Sequence, residues 1–314
     1  MTKLNGTKVT EFVLLGLSDR PELQILLFVV FLMMYLTTLL GNGVIIRAIS
    51  MTPQLHTPMY FFLGNLSCVD MCFTSVTIPK LLANILSKKK TISVPGCIAQ
   101  LSFFISLAGM ECALLTVMAY DRYVAICSPL HYGMIMNRRM CLTLVAISWL
   151  IVAVHSVLHS VLTSTLSFCG SNQIHHFFCD MTPLLKLACS DTSVNELVIF
   201  IEGPFSVVVP FGIVLVSYVR IITVILKIHS AEGRRNAFST CSSHLLVVAL
   251  YFGTIIFMYF RPTSSYSLDY DRVVSVMYTV VAPMLNPFIY SLRNNEVKRA
   301  LCRAFGGKRS APKM

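Results

Sequence analysis

The chain has 314 residues, 55% of them hydrophobic and only 12% charged, and its mean hydropathy is +0.73. Soluble globular chains carry roughly 25% charged residues, so this composition excludes an ordinary soluble domain and points to a bilayer. The formal net charge of +11 is read as an excess on one membrane face that meets anionic lipid, with no role in binding nucleic acid.

The first 22 residues are polar and mixed and lack the apolar stretch of a cleavable signal peptide. The first span is therefore expected to act as its own insertion signal. A span needs about 20 apolar residues, at about 1.5 Å rise, to cross a hydrocarbon core of about 30 Å. Seven runs qualify: 23–46, 58–82, 98–120, 140–162, 197–219, 238–259 and 273–290. The last is short and comes after a polar break at 264–272. With no internal repeat or low-complexity segment, the expected organisation is one all-α integral membrane domain, a seven-transmembrane helix bundle at 23-292, between an N-terminal segment at 1-22 and a tail at 293-314.

Seven spans put the two ends on opposite sides, and Lys and Arg decide which. With the N-terminus outside, the inner side collects Arg47, Arg122, Arg138, Arg139, Arg220, Lys227, Arg234, Arg235 and every basic residue from Arg293 on. The outer side holds Lys88-Lys89-Lys90 but also most of the acidic loop residues. The sequon Asn5-Gly6-Thr7 can be glycosylated only on the lumenal side, which agrees. Of the 11 cysteines, Cys97, Cys169, Cys179 and Cys189 then fall in the oxidising compartment, where an even set reads as two disulfides. Spacing leaves three pairings open. The remaining cysteines are expected to pack in spans or to lie on the reducing side, with Cys302 a candidate for lipidation. His176-Phe177-Phe178-Cys179 has a spacing that could ligate copper or zinc. The favoured expectation is a disulfide at Cys179, with His175 and His176 lining a solvated loop. His155 and His159 share one face of the fourth span, and are expected to be neutral and bonded to a neighbouring hydroxyl or carbonyl rather than to a metal.

Three carboxyls fall inside spans: Asp70, Glu111 and Glu202. Intramembrane ionisable residues are costly and usually functional. Asp70 and Glu111 are expected at mid-depth on neighbouring helices, where both cannot stay charged without a cation or a shared proton. A sodium ion held with Asn42 and Asn286 is one solution. Glu202 is expected to border a ligand cavity or, alternatively, to reach outward to water or a loop lysine.

The third run closes on Met118-Ala119-Tyr120-Asp121-Arg122-Tyr123-Val124-Ala125-Ile126-Cys127, a charged pair where a span meets the cytoplasm. Other distinctive strings occur in order: Glu11-Phe12-Val13-Leu14-Leu15-Gly16-Leu17, Gly41-Asn42, Leu55-His56-Thr57-Pro58-Met59-Tyr60-Phe61-Phe62-Leu63, Ser217-Tyr218, Ala237-Phe238-Ser239-Thr240-Cys241-Ser242-Ser243-His244-Leu245 and Pro283-Met284-Leu285-Asn286-Pro287-Phe288-Ile289-Tyr290-Ser291-Leu292-Arg293-Asn294. Together they resemble the vertebrate olfactory receptors of the tetrapod-type class, a family of rhodopsin-like G-protein-coupled receptors, over nearly the whole chain. Two departures are visible. Tyr251-Phe252-Gly253 stands where the family usually has Phe-Tyr-Gly, and Asn236 where it usually has Lys.

The resemblance implies a multi-pass plasma-membrane receptor, not an enzyme, with a short cytoplasmic amphipathic helix after the seventh span. It implies bridges Cys97–Cys179 and Cys169–Cys189. Its ligand would be a small, volatile, mostly apolar odorant among Phe104, Ile105, Ala108, Gly109, Glu202, Ser206, Ile255, Tyr259 and Thr279. Its partner would be a heterotrimeric stimulatory, olfactory-type G protein, engaged through Asp121, Arg122, Tyr123, Tyr218, His244, Asn286, Pro287 and Tyr290. Arg122 is expected to be restrained by Asp121 and polar neighbours. Sodium near Asp70 and Glu111 is the one ion expected. A receptor for a non-odorant amine or metabolite is the alternative within receptors. A channel or transporter would need inverted repeats or broken spans with polar pore residues, which the seven dissimilar spans do not show.

Overall fold

A computed structural model describes residues 9–18, 20–259 and 268–293. Asn5, Cys302 and the expected helix after the seventh span lie outside the described residues. Seven helices long and apolar enough to span a membrane form the bundle. They are α1 (Pro21–Met51), α2 (Pro58–Leu86), α3 (Val94–Cys127), α4 (Arg138–Ser164), α5 (Ser193–Leu226), α6 (Ala231–Tyr259) and α7 (268–293). All run past the predicted limits. At 1.5 Å per residue, the 34 residues of α3 extend about 51 Å, well beyond the hydrocarbon core. Hydropathy sees only the part that crosses lipid. The ends are set by other signals: Pro at the first turn of α1, α2 and α3, Ser93 Oγ accepting from the Gly96 amide, and Asn137 Oδ1 accepting from the Met140 amide at 2.9 Å.

The apolar side chains sort by helix face. Phe62, Phe73, Leu114, Leu115, Tyr251 and Phe252 are buried in one core, while Ile25, Leu26, Leu150, Val154, Phe200 and Val216 lie on the exposed circumference. An apolar belt of that extent belongs in lipid. Gly41 of α1 lets α7 approach closely, because a Cβ there would lie 3.1 Å from Pro287 Cγ.

The N-terminal segment contributes a strand. β1 (Glu11–Leu14) pairs antiparallel with β2 (Thr91–Ser93) and parallel with β3 (Gln173–Ile174). Alternation puts Phe12 and Leu14 inward, fully buried with Cys97, Ile174, Cys179 and Leu184 in a second apolar cluster. Both disulfides named above are present, Cys97–Cys179 with Cα atoms 5.5 Å apart and Cys169–Cys189 with 5.9 Å. The first ties the long loop between α4 and α5 to the start of α3. The Cys179 amide adds a 3.0 Å bond to Gln100 Oε1.

Candidate functional site

The bridged end of the bundle brings aromatic rings together. Phe104 of α3 lies 4.7 Å from Phe178 of the long loop, 5.3 Å from Phe73 of α2 and 6.2 Å from Tyr278 of α7, centroid to centroid. Such offset and edge-on pairs add about 0.5–1.5 kcal/mol each beyond area burial. Phe104, Ile255 and Thr279 are buried, and Ile105 and Ala108 pack half-buried against the same core. Sequence reasoning missed Phe73, Phe178 and Tyr278. Phe178 was findable as the neighbour of the bridged Cys179.

The other expected ligand contacts have defined neighbours of their own. Gly109 does not floor a cavity: a Cβ there would stand 2.9 Å from Val152 Cγ1, so it is the close-packing point of α3 against α4. Glu202 and Ser206, placed one turn apart on one face, do not share one regular helix: Ser206 lies inside the π-helical turn Pro204–Val208, which begins two residues after Glu202. The extra residue in that turn rotates the remainder of α5 relative to its first segment. Glu202 meets His155 and His159 of α4 at 3.1 and 3.0 Å, whereas the Ser206 carbonyl accepts from Cys112 Sγ of α3 at 3.5 Å. The two histidines bond each other and this carboxyl, not the expected hydroxyl or carbonyl. The Thr279 hydroxyl is used on its own helix, donating to the Ser275 carbonyl at 2.6 Å. The Tyr259 side chain lies outside the described residues. The inverted Tyr251-Phe252 pair has a defined consequence. The Tyr251 hydroxyl donates to the Ala108 carbonyl at 2.6 Å, and Phe252 stacks near Phe211 at 5.4 Å. The hydroxyl is thus committed to holding α6 on α3.

The long loop corrects the histidine reading. His175 is exposed, but His176 is buried at 2% exposure. Its Nδ1 accepts from the Phe178 amide, and Nε2 bonds Ser275 Oγ of α7 at 3.1 Å. Burial first, and the Arg272 cation second, bring its pKa down to about 3. The unfolded chain binds this proton near pH 6.5 and the folded chain does not, so stability falls as pH drops below about 6.5. At pH 5 the expected loss is about 2 kcal/mol. Thermal unfolding of detergent-purified receptor between pH 7.5 and 5 should show it, and His176→Gln should remove that part of the acid loss. Parallel curves for the two proteins would refute it.

At mid-depth, Asn286 Nδ2 donates to Asp70 Oδ2 at 2.9 Å, and Asn42 Nδ2 donates to the carbonyls of Thr38 and Pro283. That leaves Asn42 Oδ1, Asp70 Oδ1, both Glu111 oxygens and Asn286 Oδ1 buried with no hydrogen-bond partner among the described residues. An all-oxygen set of orphaned acceptors has the donor chemistry of a hard cation.

At the far end, 17 residues and about 26 Å along α3 from Phe104, Asp121 makes no ion pair with Arg122. Successive helix residues do not face each other, and the salt bridges among the described residues do not include this pair. Asp121 Oδ1 instead accepts from the Tyr132 hydroxyl at 2.8 Å, in the short helix Tyr132–Ile135. Burial first and the Asp121 carboxyl second push the Tyr132 hydroxyl up, so it remains a donor. Arg122 Nε is buried without a partner among the described residues. His244 of α6 joins three helices: Nε2 donates to the Leu115 carbonyl of α3 at 3.1 Å, and Nδ1 accepts from the Tyr218 hydroxyl of α5 at 2.7 Å. The Tyr290 hydroxyl is buried and has no partner among the described residues.

A seven-span bundle with a bridged loop over an aromatic cluster at one end, and the Asp121-Arg122-Tyr123 string at the other, has the architecture of a rhodopsin-like receptor. The family model described as olfactory receptor matches residues 31–308. The chain is 55% identical to Olfactory receptor 1E16 of Mus musculus over 305 residues, covering 97% of each. It is 54% identical to Olfactory receptor 1C1 of Homo sapiens over 301 residues, covering 96% of each, and 53% identical to Olfactory receptor 1 of Rattus norvegicus over 305 residues, covering 97% of each. The chain belongs to the olfactory receptor family. It is a multi-pass plasma-membrane receptor and not an enzyme.

Proposed function

We propose that the chain, with its N-terminus outside, binds a small, volatile, mostly apolar odorant between the helices beneath the bridged loop. Binding activates a heterotrimeric G protein of the stimulatory, olfactory type at the Asp121-Arg122-Tyr123 end and raises cyclic AMP. The observation that carries this is the ring cluster of Phe73, Phe104, Phe178 and Tyr278, which joins α2, α3, α7 and the long loop where Ile105, Ala108 and Ile255 also converge. Apolar burial would supply most of the affinity, at roughly 25 cal/mol per Å², less the cost of immobilising the ligand. Because Glu202 already pairs with two histidines, an amine ligand loses its expected counter-charge, and the odorant reading is favoured. The mid-depth oxygens of Asn42, Asp70, Glu111 and Asn286 would hold sodium in the resting receptor.

The test begins with a volatile-compound panel on cells expressing the chain, read by cyclic AMP. With an agonist in hand, Ala108→Leu should raise its half-maximal concentration about tenfold or more, since roughly 1.4 kcal/mol of lost contact is tenfold. Gly109→Leu should instead lower surface receptor, because the new side chain collides with Val152. If Ala108→Leu and Phe104→Ala both leave every agonist curve unmoved at equal surface expression, the ligand sits elsewhere.

A further inference from the structure

The cluster between α4 and α5 has a hydrogen-bond arithmetic that does not close. His155 Nε2, His159 Nε2 and Glu202 Oε2 form a triangle with edges of 3.1, 3.0 and 3.1 Å. Each edge needs a proton. Two neutral imidazoles carry at most one Nε2 hydrogen apiece, and a carboxylate none. If both hydrogens point at the carboxylate, the two nitrogens face each other as donors. If one nitrogen instead donates to the other, it loses its bond to the carboxylate. One edge always fails. A cation at the centre would take all three lone pairs at once.

We propose that these three side chains form a transition-metal site, zinc being the ion they fit, that cross-links α4 to α5. The donors are placed for it. His155 and His159 stand one turn apart on one helix face, and Glu202 lies in the last turn of the first segment of α5, two residues before its π-helical turn. Around a tetrahedral zinc with bonds of about 2.0–2.2 Å, neighbouring donors lie about 3.3–3.5 Å apart, so the triangle needs to open by only a few tenths of an ångström. Two imidazoles and a carboxylate are the borderline set that zinc and copper(II) accept. One side of the cluster is open to a fourth ligand. The His155 and Glu202 side chains are 25% and 31% exposed, against 6% for His159. His159 Nδ1 is buried without a partner, so no second acceptor braces that ring. Such bracing is worth about 10- to 100-fold in affinity, and binding is accordingly reversible.

The experiment uses full-length receptor in detergent, purified without a histidine tag, with zinc chloride as the probe and no odorant present. Zinc at about 100 μM should raise Tm by several degrees through preferential binding to the folded state, and a chelator should reverse the rise. Equilibrium dialysis should count one zinc per receptor that is lost in His155→Gln and in Glu202→Gln, while His175→Gln, an exposed histidine of the long loop, keeps it. His155→Gln removes a partly exposed ring and carries the test by dialysis even if the other variant fails to fold. Unchanged zinc stoichiometry in His155→Gln, loss of zinc in His175→Gln, or no saturable binding to the unaltered receptor would each overturn the site. None of these outcomes depends on whether the receptor responds to odorants.

Discussion

Replacing Arg122 by Ala should abolish agonist-driven cyclic AMP while leaving receptor at the cell surface. Arg122 carries a half-buried charge, and its Nε has no hydrogen-bond partner among the described residues, so that nitrogen is free to take a new partner in the active arrangement. Its potential partners are otherwise engaged or waiting: the Tyr218 hydroxyl is held by His244 at 2.7 Å, and the Tyr290 hydroxyl has no partner among the described residues. Outward movement of α6 must break both His244 bonds, to Tyr218 and to the Leu115 carbonyl. That frees Tyr218 to meet the guanidinium. A ligand drives this only by binding the open arrangement better than the closed one. Tilting a two-state balance by about 1.4 kcal/mol changes it tenfold, and charge-assisted hydrogen bonds are worth about 1.5–3 kcal/mol, so loss of Arg122 should remove more than about 90% of the maximal response. Surface receptor by flow cytometry and cyclic AMP in the same cells decide it. A full response in Arg122→Ala would sink the assignment.

The second large effect is on folding. Cys97→Ser or Cys179→Ser should cut surface receptor severely, and Cys169→Ser less so. In the chain-entropy account, a disulfide stabilises by restricting the unfolded chain, more for a longer loop. The separations are 82 residues for Cys97–Cys179 and 20 for Cys169–Cys189, a difference of about 1 kcal/mol in that account. Packing acts in the same direction. Cys97 and Cys179 are wholly buried with Phe12, Leu14 and Ile174, so unlinking them frees the loop, the strand β1 and the seat of Phe178 over Phe104 together. Peptide mapping of non-reduced receptor should recover both linked pairs. A free thiol at Cys97 or Cys179 in folded surface receptor, or normal surface levels of Cys97→Ser, would refute this.

The composition alone determined that the chain spans a membrane, and the positions of the seven runs came from apolar length, because lipid demands about 20 residues and admits few charges. The motif strings determined the family, and with it the cysteine pairing that spacing left open. The side of each contact was a different matter. Whether Gly109 floors a cavity or seats Val152 depends on how far α3 and α4 are rotated, and a hydropathy pattern does not record rotation. Glu202 stands on regular helix and Ser206 inside the π-helical turn that follows it. Such a turn leaves the apolar count unchanged, so helical spacing of about 3.6 residues misplaced it. His176 was expected in water because loops are usually solvated. The loop is instead held down by Cys179 and by Ser275 of another helix, 99 residues away in sequence. Asp121 found Tyr132 rather than its own neighbour for the same reason. Bonds between groups far apart in sequence depend on how the elements pack, and that packing is settled only when all seven helices and the long loop compete for the same interior.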